Sequence, residues 1–231
     1  YTAASTTYGF VDISATGTQI LVASDDDTLT VDMGMNFNFY GQTYSQTCIG
    51  ANGLMAFNGC EPGKPPVNFT NTPTFNDDPV IAPLNDDWQF FNTADGATPD
   101  AVYYQTIGSQ FIVEWNQAYG YPSSPSSVTF EAILTQGSNQ ILFEYLNVDS
   151  GDSRALGGSA VVGIRNMGGD QNGNALVWSF NGSTPIANLS AIEFDAPEAA
   201  APEPSTIWGC GLGLVLMAAL YVRRRANNIG G

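Results

Sequence analysis

The chain has 231 residues, with 6 Lys plus Arg against 22 Asp plus Glu, a formal net charge of -16, and no histidine. Without imidazole, histidine-dependent serine and cysteine hydrolysis, imidazole zinc sites and histidine pH switches are excluded in cis. A charge of this sign repels phosphate backbones, so nucleic acid is excluded as a partner. Charged residues make up 12% of the chain against 43% hydrophobic, so its polarity rests on Asn, Thr, Ser, Gln and Gly, which is not the composition of charge-expanded disorder.

In chain order, period-two alternation sets in at Thr7 and recurs as far as Glu193, with turn residues between segments and no sustained helical period. It predicts strands at residues 35–40, 44–50, 54–58, 80–84, 102–106, 111–116, 128–134, 141–146, 160–165, 176–180 and 191–194. So many short strands predict an all-β fold, a jelly-roll-like two-sheet sandwich forming one domain over residues 1–195. Asn52-Gly53 predicts a two-residue type I′ hairpin. That register sets Cys48 opposite Phe57. A Cys48–Cys60 disulfide, which suits an oxidising compartment, then needs the chain to turn back at Asn58-Gly59, and two buried free thiols are the alternative.

Glu114, Glu131 and Glu144 fall mid-strand in three successive segments, so hairpin pairing lines them up across one sheet face. They sit on the polar half of the alternation and are expected to be solvent-facing neighbours. A pair of carboxylates beside a groove is also what a glycosidase needs, one as acid and one as base or nucleophile. Acidic loops at Asp25-Asp26-Asp27, Asn76-Asp77-Asp78, Asn85-Asp86-Asp87, and Asp149 with Asp152 offer oxygen ligands that suit Ca²⁺. None has the spacing of a twelve-residue calcium loop, and turn-forming Asp and Asn account for them equally well. The candidate ligands are Asp86, Asp87, Asp149 and Asp152, with calcium as the one cofactor considered. The single Asp149-Ser150-Gly151 triplet lies in a turn and lacks the second copy an aspartic dyad requires.

The C-terminal part is built differently. Residues 196–206 form a Pro/Ala-rich linker that includes Pro202, Glu203 and Pro204; residues 207–222 carry no charge; and residues 223–231 begin with Arg223, Arg224 and Arg225. Sixteen helical residues span about 24 Å, a little short of the ~30 Å hydrocarbon core, and snorkelling arginines offset the deficit. The stretch therefore predicts a single C-terminal transmembrane helix, with the arginines cytoplasmic and the large domain exported. The first residue, Tyr1, fits a removed signal peptide and a trimmed chain equally well. Gly209 and Gly213 form a G-x-x-x-G pair that would let such helices self-associate.

This ordered combination of Pro-Glu-Pro, a short Gly/Leu-rich apolar stretch and an arginine cluster resembles the PEP-CTERM sorting signal of Gram-negative bacteria. The resemblance implies recognition of Pro202, Glu203 and Pro204 by an exosortase, with Arg223 to Arg225 holding the topology. It also implies an inner-membrane-anchored precursor that passes to the cell surface or matrix, where family members accompany exopolysaccharide and biofilm. Residues 37–44 (FNFYGQTY), 50–57 (GANGLMAF), 81–88 (IAPLNDDW), 111–115 (FIVEW), 128–134 (VTFEAIL) and 162–166 (VGIRN), in that order, resemble a nidogen-type extracellular domain. That resemblance implies an adhesive or structural role with no catalytic residue to transfer. The expectation is a non-enzymatic surface protein whose partners are exosortase, exopolysaccharide or other surface proteins, the membrane, and possible further copies of itself. The alternatives are a calcium- or carbohydrate-binding module and a two-carboxylate glycosidase.

Overall fold

A computed structural model describes residues 1–58, 60, 79–93, 98–167 and 175–197. Its strands are β1 (Thr2–Thr6), β2 (Thr18–Ile20), β3 (Thr28–Phe39), β4 (Gln42–Gly50), β5 (Leu54–Ala56), β6 (Val80–Asn85), β7 (Trp88–Gln89), β8 (Ala101–Ile107), β9 (Gln110–Gly120), β10 (Val128–Thr135), β11 (Ile141–Asn147), β12 (Val161–Arg165), β13 (Ala175–Phe180) and β14 (Ser190–Asp195). They belong to one compact unit, Tyr1–Ala196. Among the described residues no helix is long and apolar enough to cross a membrane. The predicted membrane stretch 207–222, Pro202 to Pro204, Arg223 to Arg225 and Asn76 to Asp78 all lie outside the described residues.

Alternation becomes burial most directly in β3, where Val31, Met33, Met35, Phe37 and Phe39 are buried and the residues between them are not. The strands form two antiparallel sheets. One runs β1-β14-β11-β10-β9-β8-β2, with β7 pairing β9, and the other runs β13-β12-β6-β5-β4-β3. Their inner faces share one core that includes Phe37, Phe39, Trp88, Trp115, Phe130, Phe143 and Phe194. Buried aromatics also donate across the layers, which satisfies their polar ends. Trp115 Nε1 donates to Gly50 O at 2.9 Å and Tyr145 OH to Pro83 O at 2.7 Å.

The two-sheet sandwich is the one predicted, but its connectivity is not that of a jelly roll. β3 to β6 run as sequential neighbours, and so do β8 to β11; the chain then crosses to add β12 and β13 beside β6 and returns to lay β14 between β11 and β1. Strands consecutive in sequence thus lie side by side within each sheet, where the interleaved Greek keys of a jelly roll would separate them.

The β4–β5 hairpin also departs from expectation. Gly50 faces Leu54 and Cys48 faces Ala56, so the loop has three residues, and in it Gly53 alone takes positive φ, at 75°. Asn52 is drawn into the fold instead of the turn. Its Oδ1 accepts the Trp88 N–H at 2.8 Å, its Nδ2 donates to Asp26 Oδ1 at 3.0 Å, and its carbonyl accepts Asn85 Nδ2 at 2.7 Å. The predicted pairing of Cys48 with Phe57 is therefore off by one. The disulfide forms nonetheless, with Cα atoms 5.2 Å apart. Cys60 is brought back over the sheet by its N–H, which donates at 3.1 Å to the hydroxyl of Thr30, the residue paired with Cys48 on the other side.

Candidate functional site

Register places the glutamates as expected and burial does not. Glu131 on β10 lies opposite Glu114 on β9 and Glu144 on β11, so the three form a row across the large sheet's outer face. They are not solvent-facing: each is at most 1% exposed. The cover is the chain's own segment between β1 and β2. Alternate residues of that segment donate backbone N–H groups to the row, Gly9 to Glu144 Oε2 at 2.9 Å, Val11 to Glu131 Oε1 at 2.8 Å and Ile13 to Glu114 Oε2 at 2.8 Å. Ile13 packs with Ala101, Tyr103, Ile112 and Ile133, and Val11 and Leu142 flank them, so an apolar layer surrounds the polar row.

Burial pushes Glu114 up to about 8, against the lowering effect of the Ile13 N–H, and Asp12 raises it further. Burial likewise pushes Glu131 up to about 9; the Val11 N–H lowers it, and Glu114 and Glu144 raise it. Glu144 is raised by burial and lowered by the Gly9 N–H. Glu131 Oε2 is sealed from solvent without a hydrogen-bond partner. A glycosidase needs its carboxylates to flank an open groove; these three are roofed by backbone that already occupies one oxygen of each.

The sequence holds a trace of this roof. Gly9, Val11 and Ile13 alternate with Phe10 and Asp12, as in a strand, yet no hairpin signal gives the segment a partner. Alternation identifies the face that a residue occupies. It does not tell whether water or another segment lies over that face.

The four candidate calcium ligands do not come together. Asp149 Oδ1 accepts the Gly151 N–H at 3.1 Å and so closes its own turn. Asp152 pairs with Arg154 at 2.7 Å and accepts from Ser150 Oγ at 2.7 Å; burial raises its pKa, but these contacts outweigh that and leave it lowered. Asp86 accepts Ser159 Oγ at 2.5 Å. Asp87 instead joins Asp25 and Asp26, with one carboxylate oxygen of each within 4.8 Å of the others. This cluster lies where the chain passes between sheets, from β2 to β3 and from β6 to β7. Asp25 is raised by burial and then by Asp26, Asp87 and Asp27; Asp87 is raised by burial and Asp26 and eased by Arg154.

A two-sheet antiparallel sandwich closed by a disulfide suits an oxidising compartment. The family model described as NIDO related matches residues 1–206, and the chain belongs to that family. No curated protein and no solved structure matches it significantly. Membership in a nidogen-related family indicates an extracellular structural or adhesive protein.

Proposed function

We propose that the chain is a non-enzymatic surface or matrix protein, exported and sorted by an exosortase, whose sandwich domain serves adhesion or structure beside exopolysaccharide. The observation that carries the sorting step is the ordered run of Pro202, Glu203 and Pro204, an uncharged stretch at 207–222 and Arg223 to Arg225. Proline fixes φ and lacks the N–H that a helix interior uses, so the sequence predicts an extended Pro-Glu-Pro entrance to the apolar stretch, of the kind a membrane-embedded protease would engage. The nidogen-related family and the disulfide support the extracellular address.

Replacing Pro202, Glu203 and Pro204 by alanine is expected to leave an uncleaved inner-membrane precursor. Fractionation followed by intact-mass measurement tests this, and a variant that reaches the surface in the same processed form as wild type overturns the sorting reading.

A second reading, a calcium-binding module, is favoured by the convergence of Asp25, Asp26 and Asp87. Oxygen-only donors that repel one another suit a hard cation. Thermal unfolding in chelator and in millimolar calcium is expected to show a higher midpoint with calcium, by mass action on the folded state. Equal midpoints at matched ionic strength remove calcium from the account.

A further inference from the structure

The glutamate row has a consequence that neither sorting nor adhesion uses. The segment above it is tethered at both ends. β1 pairs with β14 through Thr2 to Thr6, and beyond the row β2 pairs with β8 through Thr18 to Ile20. Between these anchors, the N–H groups of Gly9, Val11 and Ile13 donate to glutamate side chains and not to a neighbouring strand. Attachment therefore depends on groups that change charge.

We propose that residues 8–13 are a proton-locked strap, held on the outer face of the large sheet while the glutamate row carries protons and lifted from it, over sheet strands that stay folded, when the row is fully ionised.

Asp12 of the strap raises Glu114 and Glu131, and Glu114 and Glu144 raise Glu131. Tyr8 of the strap and Tyr103 of β8 feel the row's charge, and Glu193 of β14 lies on the same face. Among the described residues no basic group acts on any member of the row. Full ionisation thus puts three like charges at adjacent register positions without a counter-ion, and the sealed second oxygen of Glu131 would then carry charge with no donor. The strap's N–H groups lower the three carboxyls by less than burial raises them, and the further solvation that full ionisation needs is water, which reaches the row when the strap lifts. The raised pKa values of Glu114 and Glu131, about 8 and about 9, put this release on the alkaline side of neutrality.

The test is chymotryptic nicking of the full chain after Tyr8 and Phe10, followed by mass spectrometry from about pH 6 to about pH 10 and divided at each pH by the rate on a free peptide of the strap sequence. Normalised nicking is expected to rise about tenfold or more in wild type. In Glu131→Gln, which keeps an acceptor for the Val11 N–H and removes the central charge, it is expected to stay at its acid value. Glu193→Gln, on the same face without a strap hydrogen bond, is expected to follow wild type. Amide exchange across β10 at the same pH values reports whether the sheet stays closed. A flat wild-type profile, an equal rise in Glu131→Gln, or loss of β10 protection in step with nicking overturns the proposal. If Glu131→Gln does not fold, Glu114→Gln takes its place under the same criteria.

Discussion

Glu131 is a side chain that folding favours in its neutral form. Two carboxylates about 5 Å apart across neighbouring strands repel by about 3 kcal/mol at an effective dielectric of about 20, and Glu131 has such a neighbour on each side. Its folded pKa of about 9, and that of Glu114 at about 8, lie above the ordinary carboxylate range. Between those limits the native state holds protons that the unfolded chain has released, so stability is fully present below the unfolded pKa and is lost as pH rises through the folded values. At about 1.4 kcal/mol per unit, the thermal midpoint should fall by roughly 3–5 °C per pH unit across that window for one such group. Scanning calorimetry at several pH values checks this, with Glu131→Gln flattening the slope. The sequence made the shared face of the three glutamates legible, because side-chain alternation is local. Their burial was not legible, since it depends on a segment more than a hundred residues away in the chain folding over them.

At the scale of elements, most of the longer strands were legible because a sheet with one buried face writes its register into every second residue, although the prediction over 35–40 missed the first part of β3, residues 28–34. β1, β2 and β7 were not, being short and carrying too few apolar positions to show a period. The β4–β5 loop shows a different failure, in which turn chemistry lost to tertiary bonds made by Asn52. Gly53 fixes this loop: a Cβ there would sit 2.2 Å from Leu84 O, on a backbone already at positive φ. Gly53→Ala is expected to cost at least about 2 kcal/mol in urea denaturation, since strain and a backbone clash add. The adjacent disulfide closes a short loop, with a sequence separation of 12. Reducing it is expected to lower stability by about 3 kcal/mol in the same assay, with Cys48→Ser plus Cys60→Ser matching the reduced protein.

For the whole molecule, a net charge of -16 makes self-repulsion the main electrostatic force acting against the folded state. Monovalent salt is expected to raise the unfolding midpoint by screening this field. A cation held by Asp25, Asp26 and Asp87 would add to that at constant ionic strength, which separates binding from screening. The cluster itself was only half legible. Its acidic runs stand out in the sequence, but which of them meet is decided where the chain crosses between sheets, and two such crossings bring Asp87 to Asp25 and Asp26.

The pairing of β1 with β14 gives the domain a mechanical character. Thr2 faces Asp195 in an antiparallel register, so the points where the chain enters and leaves the sandwich lie side by side at one end of the same strand pair. A pull between them peels this pair open from that end, loading its hydrogen bonds in turn instead of shearing them together. The domain should therefore yield first at β1, stepwise and at low force. The Cys48–Cys60 bond and the strands of the other sheet lie off that path and carry no load at the outset.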